Sequence, residues 1–381
     1  MNVPKLRFKE FTDEWEKQKI DFFVKESKTK TGNLDKYPLW SLTIENGVTQ
    51  KTERYERSYL VKKTDNYKVV DPNYYVYNPM NAHLGAIARN KSHKTISVSG
   101  YYDIFKINNN NYYFFDNYFV SPVMFKHYKL ISTGSLLEKQ RVHFSQFKDL
   151  KVYLPSNDEQ KKISDFLSLL DKKIELQTKK IEDLKLYKLS LRENLFNIFE
   201  KEENTLSNIL VKWNRRNRDN EYSYVESVSN KFGFIAQHEQ FDDRNIASSN
   251  TDNYYIIEKG VFAYNPSRLN IGSLALKKDD RTSLVSPLYE CFTTNQNKDF
   301  LLEWFQSKEF KRGTFSKFEG GVRNTLNFTN LSTIKISLPN IDSQNRIANI
   351  LNKYNKLIEL ENKKLYLLQD LKKGLMQNML I

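Results

Sequence analysis

The sequence predicts a duplicated chain of mixed α/β, β-rich globular units, separated by a long antiparallel two-helix coiled coil with pseudo-two-fold symmetry. Three observations predict it. Residues 152–196 align with 336–380 without a gap, identical at 16 of 45 positions. Residues 75–102 align with 262–289, identical at ten of 28. Both copies of the first pair repeat apolar residues about every 3.5 positions over about four heptads, the period of a coiled-coil seam. The expected order is a globular unit over 1–154, a long helix over 155–199, a second unit over 200–338 and a second helix over 339–381.

The first unit carries short β-branched and aromatic runs, YYVYNP and TISVSGYYDIFKI, bounded by Asn, Pro or Gly as strands joined by turns are. VFAYNP and TSLVSPLYECFTT repeat the pattern in the second unit, with a helical segment at 300–313. Tyr77-Asn78-Pro79 and Gly85 correspond to Tyr264-Asn265-Pro266 and Gly272. The polar stretch Glu200–Asn204 reads as the connector between the halves.

Each helix opens with Leu-Pro and an acidic residue, Asp158 or Asp342, which suits the positive end of the helix dipole. No Gly or Pro interrupts the chain between Pro155 and Gly233. The seams include Leu167, Ile174, Ile181 and Leu184 in the first copy, and Leu351, Ile358, Leu365 and Leu368 in the second. Polar residues break them at matching places, Gln177 with Glu361 and Lys188 with Lys372. Polar seam residues cost stability and select register. One antiparallel register places Gln177 opposite Lys372 and Lys188 opposite Glu361. About 40 residues of helix would span roughly 60 Å.

Lys and Arg number 60 against 46 Asp and Glu, a formal charge of +14 that points to a polyanion such as nucleic acid. No apolar run is long enough to span a membrane, and the first twenty residues show no leader pattern, so a cytoplasmic protein is expected. The single cysteine, Cys291, excludes an internal disulfide.

Catalytic signatures are missing. None of the twelve glycines precedes a lysine, which removes a P-loop, and no G-x-G-x-x-G occurs. The Asn-Pro pairs at 78–79 and 265–266 lack the second proline of the adenine-methyltransferase motif. Glu159-Gln-Lys161 reads as helix surface. The five histidines are scattered without ligand spacing, so neither catalytic residues nor a metal site are expected. Binding features are better represented. A basic, glycine-containing loop precedes each Leu-Pro: Ser135, Lys139, Gln140 and Arg141 in the first half, Arg323 and Asn324 in the second. Arg can read guanine bidentately, Asn or Gln can read adenine, and glycine permits close backbone approach. Arg89 and Lys91 are further DNA-binding candidates, as are Arg268 and Asn270, which follow the second Tyr-Asn-Pro turn.

The opening PKLRFKEFTDEWEKQKI and the paired LPSNDEQKKISDFLSLLDKKIEL and LPNIDSQNRIANILNKYNKLIEL resemble the specificity subunit of type I restriction–modification enzymes. The resemblance covers essentially the whole chain. It implies two target-recognition domains reading the halves of a bipartite site in double-stranded DNA. It also implies helices that dock two methyltransferase subunits, with restriction/translocase subunits joining them in a bacterial or archaeal cell. S-adenosylmethionine, ATP and Mg would then belong to those partners, with no cofactor on this chain. Two other readings compete: a coiled-coil adaptor whose globular domains bind a ligand other than DNA, and a fused active methyltransferase, which the missing cofactor motif disfavours.

Overall fold

The computed structural model describes residues 2–50, 67–134, 140–230, 233–236, 251–315, 317 and 325–381. They form two compact units, one of residues 1–178 with 363–381, the other of residues 179–362.

In the first unit, strand β1 (Glu16–Lys19) pairs antiparallel with β11 (Lys151–Leu154), so the opening strand meets the one that leads into the long helix. Between them lie β2 (Val24–Ser27), β3 (Lys30–Thr31), the hairpin β4 (Trp40–Thr43) and β5 (Gly47–Gln50), and β6 (Tyr67–Val70). Then come β7 (Tyr75–Tyr77), β8 (Ile87–Arg89), β9 (Ile96–Val98) and β10 (Asp103–Ile107). Three short helices follow, α1 (Tyr112–Tyr118), α2 (Pro122–Ile131) and α3 (Phe144–Asp149). The main sheet runs β2-β10-β7-β8, and a smaller one runs β3-β6-β9.

Alternation along β7 explains the layering. Tyr75 and Tyr77 enter an aromatic core with Phe105, Phe119 and Phe147 from the neighbouring strand and helices. Val76, on the other face, joins Val70, Ile96, Val98 and Ile104 beneath the smaller sheet. A strand buried on both faces reads as a continuous apolar run, which is why YVY and IFKI are so rich in large side chains. Tyr75 and Phe105 are cross-strand partners, stacked with centroids 5.1 Å apart.

The second unit repeats this plan. Its strands are β12 (Glu202–Thr205), β13 (Leu210–Lys212), β14 (Glu226–Ser229), β15 (Gly233–Ala236), β16 (Tyr255–Ile257), β17 (Phe262–Tyr264), β18 (Leu274–Leu276), β19 (Ser283–Val285), β20 (Glu290–Thr294) and β21 (Lys335–Leu338). Helix α4 (Asn157–Ile198) precedes β12, and α5 (Leu206–Ile209), α6 (Lys298–Trp304), α7 (Lys308–Phe315), α8 (Phe328–Ser332) and α9 (Ile341–Met379) follow it. The main sheet is β13-β20-β17-β18, and Phe262 stacks on its partner Phe292 at 5.0 Å, as Tyr75 does on Phe105.

Two expectations are corrected. Glu200–Asn204 is not a free connector, because Glu202–Thr205 is strand β12, antiparallel to β21 with Glu202 opposite Leu338. In a two-stranded ribbon with one exposed face, polar side chains are compatible with strand pairing, so composition alone suggested a linker. The helix register also differs. In the first unit, α4 and α9 run antiparallel, with Lys372 on Asp171 at 2.7 Å and Ile163 and Leu167 in one core with Met376 and Met379. In the second, Lys180 pairs with Glu361 at 2.5 Å and Tyr187 packs on Tyr354. These pairs lie about one heptad from the register that would oppose Gln177 to Lys372 and Lys188 to Glu361. Both lysines find their carboxylates elsewhere, Lys188 on Glu303 of α6.

Among the seam residues, Leu167, Ile181 and Leu351 are buried. Ile174, Leu184, Ile358, Leu365 and Leu368 are half-buried.

Candidate nucleic-acid interface

Each unit ends its central strand in the Tyr-Asn-Pro turn. Asn78 Oδ1 accepts the Met80 amide at 3.1 Å, and Asn265 Oδ1 accepts the Ser267 amide at 3.0 Å. This side-chain turn is what Asn supplies before a reversal. A single 3₁₀ turn follows, closed by Gly85 at φ 98° in one unit and Gly272 at φ 89° in the other. That left-handed conformation suits glycine.

The candidate loops are anchored to these turns. The Val142 amide donates to the Pro79 carbonyl at 2.9 Å, and the Leu326 amide to the Pro266 carbonyl at 3.1 Å. In the first unit, Thr133 and Arg141 exchange both backbone hydrogen bonds at 2.8 Å, closing the neck of the loop, and the Tyr77 hydroxyl donates to the Val142 carbonyl at 2.7 Å. The described stem residues Val142 and Leu326 therefore lie beside the two turns.

Ser135, Lys139, Arg323 and Asn324 lie outside the described residues. Arg141, Arg268 and Asn270 are exposed, and Gln140 is half-buried. Arg89 has a structural role. Its guanidinium is 14% exposed, forked on Asp116 at 2.9–3.0 Å, and hydrogen-bonded to Asn73. Burial disfavours its charge, but Asp116 outweighs that and raises its pKa. A guanidinium so engaged has little left for a base edge. Lys91 is 64% exposed and 3.3 Å from the same carboxylate.

A basic segment was missed in the sequence: Trp213-Asn-Arg215-Arg216-Asn-Arg218, immediately after β13. Trp213 anchors it by donating Nε1 to the Ile256 carbonyl at 2.7 Å. The Arg216 guanidinium lies over the Tyr255 ring at 3.5 Å, Arg215 pairs with Glu258, and Arg218 is exposed. Lys28 and Lys30 are exposed at the matching place after β2. Basic residues interleaved with aromatics were the available signal.

Cys291 is buried, and burial together with the adjacent Glu290 carboxylate pushes its thiol pKa up, which makes it a core side chain. Among the described residues no group of three His, Cys, Asp or Glu side chains could hold a metal, and no helix is long and apolar enough to cross a membrane. The long helices do expose apolar residues at repeat-equivalent places: Phe166 and Ile350 (38% and 37%), Leu176 and Leu360 (59% and 56%), Tyr187 and Leu371 (55% and 52%). Phe166 and Tyr187 also make ring contacts, with Phe8 and Tyr354, so Leu176 and Leu360 are the most exposed of these pairs.

The chain is similar over 100% of its length to 99% of an S subunit of a type I restriction–modification system from M. genitalium, at 14% identity and a TM-score of 0.55. It is similar over 95% to 96% of a chain from a structure of complex assembly and conformational transition of the type I R-M system, at 12% identity and a TM-score of 0.57. At these identities the likeness concerns the fold. No curated protein matches. The family profile for the type I restriction modification DNA specificity domain matches residues 8–186 and again 195–369. Matched twice over nearly its whole length, the chain belongs to the type I restriction–modification specificity family, whose part is DNA recognition and not catalysis.

Proposed function

We propose that the two units each read one half of a bipartite site in double-stranded DNA, with residues 1–154 and 200–338 as the two recognition domains. The long helices serve as spacer and as the docking face for two methyltransferase subunits, which restriction/translocase subunits join. S-adenosylmethionine, ATP and Mg act on those partners, in the cytoplasm of a bacterium or archaeon. The observation that carries this reading is the duplicated end of each unit, where a Tyr-Asn-Pro turn is hydrogen-bonded to the stem of a basic, glycine-containing loop. The exposed, repeat-equivalent Leu176 and Leu360 on the helices support docking.

The base-reading set is Ser135, Lys139, Gln140 and Arg141 in one unit, and Arg268, Asn270, Arg323 and Asn324 in the other. Lys91 and Arg218 approach phosphate. Mapping methylated adenines in cells that carry the assembled system tests the reading. Exchanging residues 1–154 should change one half-site and leave the other intact. Change in both halves, or in neither, would overturn the assignment. Binding should also weaken linearly in the logarithm of salt concentration.

A further inference from the structure

The two halves hold their recognition domains to the long helices by similar clamps with the negative charge in different places. Helices α1 and α6 are equivalent: Phe114, Tyr118 and the capping Ser121 correspond to Phe300, Trp304 and Ser307, which sets Asn117 against Glu303. On the long helices Lys188 corresponds to Lys372, and Asp171 to Asn355.

In the first unit the carboxylate belongs to the helical frame. Lys372 on α9 meets Asp171 on α4 at 2.7 Å, and the recognition domain contributes only the Tyr113 hydroxyl, which donates to the same carboxylate. In the second unit the carboxylate belongs to the recognition domain. Lys188 on α4 donates to Glu303 at 2.6 Å and Asn355 on α9 donates to the same oxygen at 3.0 Å, while Arg192 lies 3.7 Å from the other oxygen. The second clamp is the drier: Lys188, Arg192 and Glu303 are 13%, 5% and 4% exposed, against 22% and 37% for Lys372 and Asp171.

We infer that these clamps form a polarity key assigning each recognition domain to its own helix ends. The second domain seated on the first frame would bring Glu303 against Asp171, two carboxylates for one lysine. The first domain seated on the second frame would leave Lys188 buried without a carboxylate and Arg192 with only Glu193 of its own helix, at 3.5 Å. Either mismatch is unfavourable, because a buried charge needs its counter-charge far more than an exposed one does. Lys188, Glu303, Asn355, Asp171 and Lys372 act here as positioning residues.

Thermal unfolding of full-length Glu303→Gln, Asn355→Asp and the double variant tests the key. Each single change should lower Tm, the first by stranding the Lys188 cation and the second by crowding two carboxylates. The double variant moves the carboxylate from domain to frame, as in the first unit, and should melt above Glu303→Gln alone. A double variant that falls by the sum of the two single losses overturns the inference. A chimera carrying residues 200–338 in place of 1–154 should give more soluble, cooperatively melting protein with Asp171→Asn than without it. Equal behaviour in both backgrounds counts against the key; if neither chimera is soluble, the double-variant result decides. No DNA is involved, so either failure leaves the specificity reading standing.

Discussion

Gln160 and Gln344 occupy equivalent places and make the same bond, Nε2 to the carbonyl of Pro155 at 3.0 Å and of Pro339 at 2.9 Å. Both also hold the segment ahead of the equivalent helices α1 and α6, Gln160 through Asn109 and Asn111, Gln344 through Gln296 and Asn297. Asn90 and Lys277 are likewise equivalent but differ completely. Asn90 is fully buried and satisfied by the Val70 and Lys94 carbonyls. Lys277 is equally buried, between Glu226 at 2.5 Å and Asp279 at 3.0 Å. Where a unit joins its helix, one residue type fits one geometry. Inside the lobe, any side chain that balances its own polarity will serve.

The largest test of that contrast is Lys277→Ala, which leaves Glu226 buried without its counter-ion and should cost about 3–5 kcal/mol in chemical denaturation. Next come Gln160→Ala and Gln344→Ala, each about 1–3 kcal/mol for a buried hydrogen-bond set. Their costs should agree closely; a clear inequality would mean the joints are not equivalent. Arg141→Ala should leave stability unchanged and weaken binding of cognate DNA by about 1–3 kcal/mol if the side chain reads a base. Arg89→Ala should do the reverse, lowering Tm through the lost Asp116 fork. Uniform loss across all DNA sequences for Arg141→Ala would mark a phosphate contact. Gly85→Ala and Gly272→Ala should each cost about 1–2 kcal/mol for the left-handed backbone. Gly85→Ala should be the worse, because its new Cβ would sit 3.2 Å from the Phe125 ring, against 3.7 Å from Asn230 at Gly272. Lys180→Ala should be smallest, within about 1 kcal/mol, since that lysine is half exposed beside Glu361.

The long helices were legible because a seam repeats every few residues and the copies reinforce each other. The strand at 202–205 was not, because Glu202 and Glu203 lie on a narrow exposed ribbon with no alternation to betray it. The register eluded prediction for a different reason. Lys188 interrupts the seam, and its partner is Glu303, on a helix more than a hundred residues away. Pattern within two helices cannot reveal a third. The Tyr-Asn-Pro turns announced themselves by composition, whereas the role of Arg89 depended on Asp116, a residue with no motif of its own. In both cases local chemistry was visible and tertiary partners were not.

The second unit is one unbroken stretch of chain, while the first needs residues 363–381 to complete its core with Met376, Met379 and Leu380. During synthesis the two therefore mature in reverse order. At about 5–20 residues per second, roughly 10–40 s separate the appearance of residue 178 from that of the closing helical segment. Through that interval the first unit waits with part of its aromatic interior uncovered, and the second, complete at residue 362, has all its residues just before the closing segment appears.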